Sequence, residues 1–232
     1  MYKRQGIVGE SGCGKTSVAM SLLQLQAENG KISNGSILFD GHELVGMSEN
    51  DLRKVRWDGI SIVFQGAMNA WNPVVKVGEQ IREAMREHSP KSTKSQNTEK
   101  INELFNMVGL DSSVSERFPH ELSGGMKQRA IIALALSCDP KLVIADEPTT
   151  ALDVVIQDQI LNEIKNVQQL LGLSLIYISH DIAVIAEMTD KIAVMYAGSI
   201  VEMGPTKEVF NSPKHAYTCL LYTSPSPRDR SL

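Results

Sequence analysis

The chain has 232 residues, 42% hydrophobic and 22% charged, which is ordinary globular usage; it excludes general disorder and fits one large domain or two small ones. The longest purely apolar run, residues 130–136, falls far short of the ~20 residues of a spanning helix, so no membrane span is expected, although a membrane partner stays open. A net charge of −4 speaks against a nucleic-acid footprint, and Cys13, Cys138 and Cys219 are too scattered for a disulfide framework or a metal site.

The two ends read differently from the middle. Residues 1–5 (Met-Tyr-Lys-Arg-Gln) and residues 219–229 (Cys-Leu-Leu-Tyr-Thr-Ser-Pro-Ser-Pro-Arg-Asp) match the two flanks of a transposase sequencing adapter, translated in frame and in the orientation of an insert. Residues 1–5 and 219–232 are therefore expected to be adapter translation, with the native chain cut at both ends. The plain alternative is a natural start and a natural Ser/Pro tail. The first residues carry no apolar leader segment, so no secretory signal is expected.

In chain order, residues 6–8 form a strand stub ahead of a glycine-rich turn, and residues 17–25 read as a helix. Residues 36–40 alternate into Gly41 as a short strand and turn, and residues 59–64 form another strand. Residues 79–87 and 99–108 read as helices, with a polar surface loop at 89–98 between them. Residues 124–137 are a helix, 142–145 a continuous apolar strand, 154–171 a long helix closed by Gly172, and 173–178 a second buried strand. A hairpin over 192–196 and 199–203 turns at Ala197-Gly198, and a short helix over 206–211 stops before Pro213. Strand–helix alternation on both sides of a helical middle predicts an α/β core of mainly parallel sheet flanked by helices. The core occupies residues 6–78 and 136–218, and residues 79–135 are an inserted helical subdomain.

Three stretches and two single residues carry chemistry. Gly9-Glu-Ser-Gly-Cys-Gly14-Lys15-Thr16 fits the pattern G-x-x-x-x-G-K-[ST]. Its glycines let backbone N–H groups turn inward as an anion nest, and the following helix adds its positive end. Ser11, Gly12, Cys13 and Ser17 complete that cradle. Lys15 supplies a point charge for β- and γ-phosphates, and Thr16 a hydroxyl for Mg²⁺. Residues 142–145 run into Asp146 and Glu147, an apolar strand ending in two acids. Asp146 is placed to hold Mg²⁺ and Glu147 to polarise an attacking water, which indicates hydrolysis rather than transfer; alone, the pair reads equally well as helix N-terminal charge. Leu122-Ser123-Gly124-Gly125-Met126-Lys127-Gln128-Arg129 opens a helix with Ser123 as N-cap and a bare, phosphate-accepting end; alone it is an ordinary capped helix. Gln65 and His180 each follow a strand, at the carboxyl edge where ligands of open α/β sheets bind, and Asp181 caps the next helix. A lone His or Gln there is more often structural.

Taken in this order, the loop at 9–16, Gln65, the string at 122–129, the strand and acids at 142–147, Ala151-Leu152-Asp153 and His180 resemble the nucleotide-binding subunits of ABC transporters across residues 6–218. The resemblance implies a P-loop NTPase core, ATP and Mg²⁺ as ligands, and two ATPase subunits packed head-to-tail around two ATPs. Lys15, Thr16, Gln65, Asp146, Glu147 and His180 of one subunit would face Ser123, Gly124 and Gly125 of the other, with Asp153 at the seam. Glu147 would be the base, His180 would contact the γ-phosphate, and Gln65 would link Mg²⁺ and the attacking water to the membrane subunits.

A finer similarity lies in Phe64-Gln-Gly-Ala-Met-Asn-Ala-Trp-Asn-Pro73, Val77-Gly-Glu-Gln-Ile81 and Ser212-Pro-Lys-His-Ala-Tyr-Thr218, which look like di/oligopeptide importer ATPases. Relatives of that branch import nickel or oligosaccharides. Ala216 departs mildly from the family's usual proline. The aromatic residue that stacks on adenine upstream of the loop has no counterpart here beyond Tyr2, and the usual C-terminal extension is missing. The resemblance implies two permease subunits, an extracytoplasmic binding protein acting indirectly, no nucleic acid, and a peripheral place on the cytoplasmic face of the membrane. The competing function is a soluble ABC ATPase of DNA repair or translation, but the sequence shows neither long coiled-coil insertion, nor tandem cassette, nor basic surface. Cys13 reads as a tolerated loop residue, and Met188, Met195 and Met203 as core filler. His42, His88, His120 and His215 have no partner at ligand spacing, and Trp57 and Trp71 face either the core or a permease.

Overall fold

The structure is a computed structural model and describes residues 3–27, 29–88, 92–150 and 152–223. Of the adapter-like ends, residues 1–2 and 224–232 lie outside the described residues, as does Ala151.

A six-stranded sheet organises the chain. Its strands are β1 (Arg4–Val8), β4 (Ile60–Val63), β5 (Leu142–Asp146), β6 (Ser174–Ser179), β7 (Lys191–Tyr196) and β8 (Ser199–Pro205), in the order β4-β5-β6-β1-β7-β8. All neighbours are parallel except the β7–β8 hairpin. A separate hairpin pairs β2 (Leu38–Phe39) with β3 (His42–Glu43). The sheet is mostly parallel because its strands are joined by helical crossovers, and such strands are apolar on both faces. In β5, Val143 and Ala145 pack into one cluster and Ile144 into the other, and Tyr177 and Ile178 of β6 divide in the same way. The larger cluster takes in α5 (Gly124–Leu136), α6 (Val154–Leu171) and α7 (Ile182–Met188); the smaller takes in α1 (Lys15–Leu22).

Between β4 and β5 the described chain forms α3 (Val77–His88), α4 (Lys94–Met107), α5 and short 3₁₀ turns, with no strand. The remaining helices are α2 (Glu49–Val55), α8 (Thr206–Asn211) and α9 (Ala216–Thr223).

Several elements differ from the sequence reading. Helix α1 starts two residues earlier than expected, because Gly14 enters the left-handed region at φ 102° and serves as N-cap. The expected strand at 36–40 shortens to Leu38–Phe39, where Asp40 (φ 51°) and Gly41 (φ 81°) turn the hairpin. Helix α2 was not foreseen; its signal is Ser48, whose hydroxyl accepts from the Asp51 amide. Part of the polar loop at 89–98 is helix: Thr93 and Gln96 form a reciprocal capping box, so α4 begins at Lys94. Residues 89–91 lie outside the described residues. Strand β1 begins at Arg4, two residues ahead of the stub expected at 6–8, and Arg4 Nη2 lies 2.6 Å from Asp190 Oδ1. Met188 and Met195 are core residues, but Met203 is exposed, since it lies on the edge strand β8. Trp71 is buried, whereas Trp57 stacks on His88 at 5.3 Å. Among the described residues no cluster of His, Cys, Asp and Glu is built to hold a metal.

The parallel register decides what lies near what. Val8 pairs with Ser179, Asp146 with Ile178, and Val63 with Ala145. The residues that follow β1, β4, β5 and β6 therefore emerge along one carboxyl edge of the sheet.

Candidate functional site

The glycine loop leaves β1 and turns into α1. Gly12 (φ 85°) and Gly14 (φ 102°) both occupy the left-handed region that a side chain resists. Gly9 is required for another reason: a β-carbon there would sit 2.2 Å from the Met195 carbonyl oxygen. The loop is held from behind by the β7–β8 turn, where Gly198 N–H donates to the Cys13 carbonyl at 3.1 Å. No side chain caps α1, so the first-turn amides of Lys15, Thr16 and Ser17 are presented at a positive helix end. The Lys15 ammonium is buried and donates to the carbonyls of Gly9 at 2.7 Å and Glu10 at 2.9 Å. Cys13 is buried beneath the loop, and Ser11, Thr16 and Ser17 are exposed on it.

Asp146 ends β5 fully buried, and neither carboxylate oxygen has a hydrogen-bond partner. Burial pushes its carboxyl above the usual range, with Glu147 adding to the effect. The neighbouring Thr16 hydroxyl and Lys15 charge oppose this without reaching hydrogen-bond geometry to those oxygens. Two orphaned carboxylate oxygens beside a threonine hydroxyl form a hard oxygen donor set, which suits Mg²⁺.

Glu147 stands at φ 48°, a strained position for a non-glycine residue, and its N–H donates to the Ile178 carbonyl at 2.9 Å. Its carboxylate is held three ways. His180 Nδ1 lies 2.9 Å from Oε1, Gln65 Nε2 donates to Oε2 at 3.1 Å, and the Thr150 hydroxyl donates to Oε2 at 3.1 Å. Three strand ends thus converge on one carboxylate. Thr150 is the member that sequence reading missed; its three-residue offset from Glu147, closed by a Thr150 N–H to Glu147 carbonyl bond at 3.2 Å, was the available signal.

Ser123, Gly124, Gly125 and Asp153 gather elsewhere. Ser123 caps α5 by accepting from the Met126 amide at 3.3 Å, and Asp153 caps α6 by accepting from the Ile156 amide at 3.0 Å. A β-carbon on Gly125 would sit 2.8 Å from Ile156 Cγ2, and one on Gly124 would sit 3.5 Å from Leu152 Cδ2. The two helix starts therefore pack on each other, while the glycine loop makes its own contacts with the β7–β8 turn. Arg129 fixes this pair of helices. Its guanidinium meets Glu163 at 2.8 Å, Gln159 at 3.2 Å and the Gly109 carbonyl at 3.1 Å. Nothing in the sequence pattern singled out Glu163, because the contact is tertiary. Asp181 caps α7, accepting from Ala183 and Val184.

This sheet edge and loop define a class. Residues 2–150 match the ABC transporter family, and the chain belongs to that family. It is 42% identical over 228 residues to a dipeptide transport ATP-binding protein of Lactococcus lactis, covering 97% of this chain and 65% of the relative. It is 46% identical over 221 residues to an oligopeptide transport ATP-binding protein of Bacillus subtilis, covering 94% of this chain and 62% of the relative. The chain thus spans less than two thirds of the length of these curated relatives. Among solved structures, it is similar to a dimeric ATP-binding cassette in a post-hydrolysis state bound to ADP and Pi, with a TM-score of 0.76 and 25% identity over 88% of this chain and 85% of that one. It is also similar to cbiO1 of Clostridium perfringens, part of the cbiONQ ABC transporter complex, with a TM-score of 0.79 and 27% identity over 98% of this chain and 85% of that one.

Proposed function

We propose that this chain is the ATP-binding and ATP-hydrolysing subunit of an ABC importer for di- or oligopeptides. The observation that carries the reading is Glu147, whose carboxylate is held by His180, Gln65 and Thr150 next to the buried Asp146 and the lysine-bearing loop. The loop amides and Lys15 bind and orient the phosphates. Glu147 takes a proton from the attacking water, and His180 keeps that carboxylate aimed and stands ready for the γ-phosphate. Thr16 and Asp146 would hold Mg²⁺, which when bound neutralises charge on the phosphate oxygens.

Ser123, Gly124 and Gly125 open a helix whose bare start packs beside Leu152 and Ile156 at the start of α6. This supports the reading that they serve the nucleotide of a second ATPase subunit packed head-to-tail, with Asp153 at the seam. Two permease subunits and, indirectly, an extracytoplasmic binding protein complete the assembly. The place inferred for the subunit is the cytoplasmic face of the membrane; no helix among the described residues is long and apolar enough to cross one. Peptide cargo is favoured over nickel or oligosaccharide by the names of the two relatives above.

The test is ATP-dependent uptake of a labelled dipeptide by vesicles carrying the reconstituted transporter, with the Glu147→Gln variant beside it. Uptake that stops in the variant supports the reading. Uptake of nickel or an oligosaccharide in place of peptide corrects the cargo. Undiminished phosphate release by the variant overturns the catalytic assignment.

A further inference from the structure

The segment after α8 reaches back to the phosphate loop. Glu202 on β8 accepts the Lys214 amide at 2.9 Å and the His215 amide at 3.1 Å, one on each carboxylate oxygen. His215 Nδ1 then accepts the Tyr217 amide at 3.1 Å, which fixes the start of α9. The Tyr217 ring is buried against Tyr196 of β7, with centroids 4.5 Å apart. Its hydroxyl accepts the Glu10 N–H at 3.1 Å. Glu10 is the residue whose carbonyl receives both the Lys15 ammonium at 2.9 Å and the Cys13 amide at 3.2 Å.

We propose that Tyr217 is a positioning residue of the phosphate loop: by holding the Glu10 amide it fixes the neighbouring backbone that carries the Lys15 resting site. The proposal rests on the nucleotide-binding reading given above. An anion nest binds well only if its peptides are already oriented, because ordering them at the moment of binding costs affinity. The Gly9 and Glu10 carbonyls are two acceptors that hold the Lys15 ammonium at the loop. Burial also raises the Tyr217 phenol above its usual range, so the hydroxyl stays protonated across the working pH. The same chain of bonds ties the start of α9 to the loop.

The test is a double-mutant cycle on MgATP affinity, read with a fluorescent ATP analogue on the whole chain. The four proteins are wild type, Tyr217→Phe, Lys15→Ala and the double variant. Phenylalanine keeps the ring against Tyr196 and removes only the hydroxyl. Tyr217→Phe is expected to weaken binding about 3–10-fold, the scale of one hydrogen bond, when Lys15 is present. In the Lys15→Ala background the same change is expected to stay within about twofold. Equal weakening in both backgrounds means a general structural role and overturns the proposal, as does wild-type affinity in Tyr217→Phe. If wild type and Lys15→Ala bind alike, the nucleotide-site reading fails first, and the two failures are told apart. Should Tyr217→Phe not fold, Glu202→Gln slackens the same segment without touching the loop. It should repeat the Lys15-dependent loss at smaller size, and an unchanged affinity overturns the proposal.

Discussion

His180 and Glu147 meet side chain to side chain, ring Nδ1 to carboxylate Oε1 at 2.9 Å. They leave neighbouring parallel strands whose register pairs Asp146 with Ile178, so the ladder brings them together. The glutamate side chain is 9% exposed and the histidine side chain 57%, so the carboxylate is shielded while its partner faces the solvent.

The role proposed for that shielded carboxylate gives the most direct prediction. Glu147→Gln keeps the shape and the contacts of Gln65 and Thr150 but removes the proton acceptor. Phosphate release should fall by about 10²–10⁴-fold, while affinity for a non-hydrolysable ATP analogue stays close to wild type. Steady-state phosphate release beside equilibrium binding checks both halves.

Lys15 combines binding and packing. Lys15→Ala removes the loop's point charge and strands the Gly9 carbonyl in a buried site, while the Glu10 carbonyl keeps the Cys13 amide. Nucleotide affinity should drop by about 10-fold or more, and the melting temperature should fall as well, since each buried group left unpaired costs about 1–3 kcal/mol. A melting scan beside a binding titration separates the two effects.

Asp146 predicts a stability gain against a loss of function. Burial holds its carboxyl above the ordinary range, so the charged form is penalised in the folded state. An acid with a raised folded pKa takes stability away at high pH and returns it as the pH falls below that pKa. Asp146→Asn should therefore melt higher than wild type at neutral pH, at about 2–4 °C per kcal/mol for a domain of this size. The difference should shrink in acid. Mg²⁺-dependent activity should be lost throughout.

Two loop glycines should respond differently to alanine. At Gly12 an added β-carbon meets nothing within 4 Å, and only its φ of 85° resists, a penalty of about 1–2 kcal/mol. At Gly9 the same atom strikes the Met195 carbonyl at 2.2 Å, so β1 and β7 must part. Gly9→Ala should be the far more destabilised variant in urea titrations. Equal midpoints would contradict this packing.

How much was legible beforehand follows from the range over which each signal acts. The glycine loop, the apolar strand closed by Asp146 and Glu147, the Ser123 cap and the run of α6 into Gly172 are local. Backbone freedom, capping and apolar periodicity operate within a few residues, and the sequence alone determined them. The Thr93–Gln96 box and the Ser48 and Asp153 caps are equally local and were open to the same reading. Only the tertiary structure decided that Gln65 and His180 share the Glu147 carboxylate, that Met195 closes on Gly9, and that Tyr217 reaches Glu10. Those contacts depend on strand order and parallel register, which are set when the apolar faces of distant segments pack together. No spacing along the chain encodes them.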